Sequence, residues 1–152
     1  MRILLAVDGS PGSDAAVDEV CRRPWPLESE VRVVTVLSPI ESILMQGVTH
    51  SPTTFDDILK QQGMEAATRL SEIADDVARR APGLNVTPRL LEGLPKEAIV
   101  DEAEKWGADL IVVGSNGYGA IKRFLLGSVS LAVALNAPCS VEIVRQSPVL
   151  SH

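Results

Sequence analysis

Short apolar runs and helical patterns take turns along the whole chain, and this alternation leaves few folds open. Residues 3–7 (ILLAV) are apolar without a polar break, as expected of a strand covered on both faces. The turn DGSPGSD follows, with Ser10 placed to cap a helix and Pro11 to occupy its first position. Val17, Val20 and Cys21 then recur at helical spacing, and the segment 22–29 (RRPWPLES) ends that helix with two prolines. Residues 31–37 (VRVVTVL) form a second strand rich in β-branched side chains. Residues 38–54 show no periodicity, and a loop of that length in a small domain is expected to carry function or to move. A long helix is predicted over 55–81, with Leu59, Ala66, Leu70, Ile73 and Val77 on one stripe and Pro82 and Gly83 closing it.

The second half repeats the alternation. Residues 85–93 (NVTPRLLEG) read as a strand whose Pro88 cannot donate to a ladder, which puts it at a sheet edge. Pro95 starts a third helix with Ile99, Ala103 and Trp106 on its inner face, and Gly107 ends it. Strand 110–113, helix 129–135 with Asn136 as its C-cap, and strand 140–145 complete the pattern, ahead of a frayed tail, 147–152. The predicted fold is one α/β domain, residues 1–146: a doubly wound, five-stranded parallel sheet in the order 3-2-1-4-5, with helices on both faces. In such a sheet the chain reverses direction between strands 1 and 4, and ligands bind beyond the strand C-termini at that point.

Composition removes several classes of function. The chain has 152 residues, 45% hydrophobic and 22% charged, which is ordinary for a globular domain and wrong for a disordered one. A net charge of -6 repels nucleic acid and anionic membranes, and 3% aromatics leave few rings for base stacking. The first apolar run is too short for a secretory signal, and no run spans a bilayer. Cys21 and Cys139 share no ligand spacing with each other or with His50 and His152, so they read as core residues in a reducing, cytoplasmic setting. No metal site is expected.

Residues 112–130 (VVGSNGYGAIKRFLLGSVS) carry four glycines at the end of strand 4. The phosphate loop GxxxxGK[ST] is absent, and GxGxxG fails because Lys122 occupies the third glycine position. The chemistry is nonetheless that of an anion site. Gly114 lets the main chain approach a ribose or phosphate, and Gly117 and Gly119 permit an N–H nest around Ser115 and Asn116. Gly127, Ser128, Val129 and Ser130 open a helix whose N–H groups and dipole favour a phosphate, and the two hydroxyls add donors. Lys122 and Arg123 read either as phosphate clamps or, with at least equal weight, as solvated or anion-attracting surface cations on long stems. There is no GxSxG, no acidic pair and no arginine clamp, and His50 and His152 are poorly placed as bases, so no catalytic residue is assigned.

The spacing G-x2-G-x9-G-[ST] is met by Gly114, Gly117, Gly127 and Ser128. Together with AVDGSPGSDAAV, EGLPKEAIVDEAEKWGADLIVVGSNG and LLGSVSLAVALNAPCSVEIVR, in that order, it resembles the ATP-binding branch of the universal stress protein family over nearly the whole chain. The resemblance implies that Asp8 and the main chain at Ala6 meet the adenosine, and that the main chain of Val36 meets the adenine edge. It implies ribose and phosphate contacts for Gly114, Gly117, Gly127, Ser128 and Ser130. Asn116 stands where many relatives carry a basic residue or histidine, and Tyr118 where many carry leucine, so no charge reaches the phosphates from position 116. The resemblance further implies ATP or ADP as ligand, Mg²⁺ carried by the nucleotide, and a homodimer through strand 5. Within that strand Glu142 reads either as a charge guarding the edge or as the partner of a cation across the dimer. The expected function is a nucleotide-dependent switch acting on an unnamed protein partner, at most a weak ATPase. The alternatives are a dimeric interaction module of the same fold without nucleotide, and an enzyme acting on the α-phosphate of ATP.

Overall fold

Nine elements alternate along the computed structural model, which describes residues 1–38, 55–116 and 126–146. They are β1 (Arg2–Ala6), α1 (Pro11–Arg22), β2 (Glu30–Leu37), α2 (Phe55–Arg80), β3 (Asn85–Glu92), α3 (Pro95–Trp106), β4 (Leu110–Gly114), α4 (Ser128–Asn136) and β5 (Ser140–Val144). All strands pair in parallel in the order β3-β2-β1-β4-β5, as the sequence pattern predicts. Pro88 lies on the edge strand β3, where its missing N–H costs no ladder bond.

Two cores flank the sheet, which is why β1 is apolar without alternation. Ile3 and Leu5 pack on one face with Val17 and Val20 of α1 and Leu70, Ala74 and Val77 of α2. Leu4 points the other way, to Ile99 and Ala103 of α3 and Val133 of α4. Burying each of the valine, leucine and isoleucine side chains among these stabilises the fold by about 1.5–3 kcal/mol. Ser10 caps α1 through a bond from the Ser13 N–H, and Gly107 ends α3 in the left-handed conformation at φ 74°. The C-cap of α4 is Ala137 in place of the expected Asn136, which remains helical and donates its side-chain amide to the Ala132 carbonyl. No described helix is long and apolar enough to cross a membrane.

Two charge clusters join elements distant in sequence. Glu102 of α3, only 7% exposed, accepts from Arg32 of β2 at 2.6 Å and forms an ion pair with Arg89 of β3 at 3.1 Å. Arg32 also lies over the ring of Trp106, 4.4 Å from its centroid. On the opposite face Arg23, just past α1, forks onto both carboxylate oxygens of Glu142 and also holds Glu19. Glu142 thus has its cation within the chain, where a partner across a dimer was one expectation; α1 packs over β5 and brings Arg23 to the strand.

Hydrogen bonds from Arg22 and Arg23 hold the Glu19 carboxyl below its ordinary value. A depressed folded-state pKa stabilises the fold above the ordinary glutamate pKa, and that contribution is lost as pH falls through the lower folded value. Glu19→Gln is therefore expected to lower stability at pH 8, where the charged carboxylate contributes, and to converge with the parent as pH falls toward 3, so that its acid limb is flatter in urea unfolding between pH 3 and 8.

Candidate functional site at the sheet switch point

Sequence register brings the expected adenosine residues into one row. Ala6 pairs with Val34 of β2, and Leu5 with Val112 of β4. Counting on in the same register, Val36, Asp8 and Ser115 follow the last paired residues at the C-terminal end of three adjacent strands. The end of β1 is tied to β2 by Val7 N–H donating to the Val34 carbonyl at 2.9 Å, and by the Thr35 hydroxyl donating to the Val7 carbonyl at 2.8 Å. Asp8 is exposed, and one carboxylate oxygen accepts from Ser10 N–H at 2.9 Å, which fixes the side chain at the entrance to α1. Val36 packs its side chain on the α3–α4 core, leaving its main chain as the part that can face a ligand.

The glycine loop has a pinned base. Ser115 N–H donates to the Val144 carbonyl at 2.8 Å, and Gly127 N–H donates to the Ser115 carbonyl at 2.8 Å, so the two limbs meet where β4 ends and α4 begins. Gly114, expected to make room for a ligand, also makes room for α1. A Cβ on Gly114 would stand 2.4 Å from the Gly12 carbonyl oxygen, and one on Gly12 would stand 2.0 Å from the Asn116 carbonyl oxygen. Gly12 is a site-shaping residue that no motif in the sequence singles out. Its signal was available: glycine in the first turn of a helix that Pro11 already starts is unfavourable by about 1 kcal/mol against alanine unless something needs the space.

The start of α4 differs from that of α1 in what it leaves open. The α1 start is closed by Ser10 and carries Asp14 in its first turn. The α4 start has Gly127 at the cap with no side-chain bond, and no acidic residue in the first turn. Ser128 is exposed there, Val129 half-buried, and Ser130 buried with its hydroxyl 2.6 Å from the Gly114 carbonyl. An uncapped helix start with its dipole aimed out of the switch point can receive an anion.

The expected site residues Gly117 and Gly119 lie outside the described residues, as do Tyr118, Lys122, Arg123, His50 and the tail. The structure brings together Ala6, Asp8, Val36, Gly114, Ser115, Asn116, Gly127, Ser128, Val129 and Ser130 at the same end of the sheet. A second groove, between α1 and α2, is lined by Asp14, Asp18, Glu72 and Asp76, and its Arg80 is already held by Asp18 and Asp76. Its charge repels phosphates. Burial raises the thiols of Cys21 and Cys139 above the ordinary cysteine value, which keeps both protonated and weakly nucleophilic at neutral pH.

A doubly wound parallel sheet with an uncapped helix start at its switch point defines a class of α/β proteins that bind ligands beyond their strand ends. Within that class the chain belongs to the universal stress protein family, whose profile matches residues 1–145. It is 33% identical to a universal stress protein of Methanocaldococcus jannaschii (MJ0531), over 95% of this chain and 82% of that one. It is 35% identical to one from Thermus aquaticus, over 94% and 97%. Among solved structures, the protein MJ0577 superposes with a TM-score of 0.81 at 25% identity, covering 96% of each chain. An Arabidopsis thaliana family member with AMP bound shares the fold at a TM-score of 0.65 and 18% identity, over 97% of this chain and 92% of that one.

Proposed function

We propose that this protein binds ATP, with Mg²⁺ carried by the nucleotide, at the C-terminal end of β1 and β4, and acts as a nucleotide-dependent switch. The observation that carries the reading is the start of α4, with no side-chain bond from its cap Gly127 and no acidic residue in its first turn, directly behind the pinned base of the glycine loop. The N–H groups of Ser128, Val129 and Ser130 and the Ser128 hydroxyl meet the phosphates. The main chain from Gly114 to Asn116, with Gly117 and Gly119 beyond it, lines the ribose and phosphates, while Ala6, Asp8 and Val36 take the adenosine. Mg²⁺ supplies charge neutralisation on the phosphate oxygens.

The Arabidopsis thaliana neighbour carries AMP, and a second universal stress protein sharing the fold at 24% identity is complexed with cAMP. That likeness is one of fold, and in those proteins the fold holds an adenine nucleotide. Slow hydrolysis to ADP resets the switch in our reading; a single-turnover assay with no ADP after hours removes that step. One observation favours the rival, an interaction module without nucleotide: packing against Gly12 already accounts for Gly114. Native mass spectrometry of the purified protein, with acid release of anything bound, decides. About one ATP or ADP per subunit supports the switch, whereas a protein that stays empty in Mg-ATP overturns it.

The same reading includes a homodimer through β5. β5 is the last strand of the sheet, its Val141 and Ile143 are only half-buried, and Leu135 of α4 is 75% exposed. The Val144 carbonyl points to β4, since it accepts from Ser115, so the main-chain groups of Ile143 point away from the sheet. Ile143→Pro removes one outward donor while leaving the β4 ladder intact. It is expected to turn a dimer into a monomer in light scattering of the eluting peak, with the circular dichroism spectrum retained.

A further inference from the structure

We propose that Ser130 is a positioning residue, a latch that holds the two limbs of the glycine loop at a fixed separation, and that Ser128 alone supplies the hydroxyl contact to a phosphate. The proposal deepens the nucleotide reading and, in its second half, rests on it. Ser130 is 4% exposed, in the first turn of α4, with its Oγ 2.6 Å from the Gly114 carbonyl oxygen and 3.3 Å from that of Ser115. A serine hydroxyl has one proton, and the 2.6 Å contact commits it to Gly114. That proton is unavailable to a phosphate oxygen while the bond stands.

The Gly114 carbonyl ends β4, and Ser130 supplies a donor to it from the start of α4. The neighbouring Ser115 carbonyl already takes the Gly127 N–H, so hydroxyl and amide together fasten the helix start to the strand end. Gly12 presses on the same point from α1. Ser128, by contrast, is exposed on the same turn, and its hydroxyl makes no hydrogen bond among the described residues. Two serines two positions apart on one helix start therefore divide the work. One faces the ligand, and the other fixes the main chain that the ligand meets.

The test has two readouts. In nucleotide-free protein, amide exchange at Gly127 and Ser115 is measured by NMR for the parent, Ser130→Ala and Ser130→Thr. The latch requires exchange to accelerate at both amides in Ser130→Ala and to return toward the parent rate in Ser130→Thr, which keeps the hydroxyl. Titrations with Mg-ATP and with AMP then separate the serines. Ser130→Ala is expected to weaken both ligands by the same factor, roughly tenfold, the size a lost buried hydrogen bond carries. Ser128→Ala is expected to weaken ATP more than AMP, with exchange at Gly127 and Ser115 unchanged. Unchanged exchange in Ser130→Ala, or a loss confined to ATP, overturns the latch and makes Ser130 a phosphate donor. If the parent binds neither nucleotide, the function proposed above falls, while the exchange data still decide whether Ser130 is a latch.

Discussion

Gly12→Ala is expected to cost about 1–3 kcal/mol of stability, the range for forcing an added group into a packed site. The same change is expected to weaken ATP binding by about tenfold or more, since every 1.4 kcal/mol of misplacement is a factor of ten. The added Cβ would meet the Asn116 carbonyl at 2.0 Å, and a main-chain carbonyl has no rotamer by which to step aside. Either the start of α1 lifts from the sheet or the first limb of the glycine loop moves, and each displaces a wall of the site. A chain of this length loses about 2–4 °C of melting temperature per kcal/mol, so the loss is readable by thermal unfolding. Gly114→Ala should behave alike, because its Cβ would stand 2.4 Å from the Gly12 carbonyl. The double variant is expected to cost less than the sum of the two, since one outward shift of α1 relieves both contacts. Strict additivity would show that the two glycines answer to different neighbours.

Glu102→Ala is expected to have a larger effect on stability and none on the site. It removes the shared carboxylate of Arg32 and Arg89 from a position 7% exposed and leaves Arg32, itself 21% exposed, without its anion. Breaking a buried pair from one side costs about 3–5 kcal/mol, and the partial exposure of Arg32 places this case at about 3 kcal/mol. Arg32 keeps its stacking on Trp106, which softens the loss. Replacing Glu102 and its more buried partner together, Arg32→Met with Glu102→Leu, should cost less than Glu102→Ala alone, because the one charge it leaves, on Arg89, is 56% exposed and stays solvated. Urea unfolding measures both variants. Nucleotide affinity at a temperature well below unfolding should match the parent, because the cluster lies on the sheet face under α3, away from the start of α4.

These two variants also mark what the sequence could and could not say. Strand order was legible because its signals are local: β-branched runs for the strands, Ser10-Pro11 and Gly107 for helix ends, Pro88 for an edge. The location of the candidate site followed from that order, since a sheet of this topology has one switch point. What failed to show were contacts between distant elements. Gly12 looks like one more turn residue until β4 is folded against it. Gly114 signals a close approach in the sequence, but nothing there shows that α1 is one of the neighbours that approach it. Glu102 sits between Ile99 and Trp106 on the inner face of α3, and only the pairing of β2 with β3 shows that two arginines await it. Glu142 found Arg23 in its own chain because α1 crosses over β5, a packing choice no spacing encodes.

The central claim is that a nucleotide sits at the switch point, and an NMR titration of labelled protein with Mg-ATP tests it most directly. The expected result is saturable amide shifts concentrated at Asp8, Gly114 to Asn116 and Gly127 to Ser130, with the amides around Glu102 and in the groove between α1 and α2 unmoved. Amides that stay still at millimolar Mg-ATP, or shifts that gather in the α1–α2 groove while the start of α4 is silent, would contradict it.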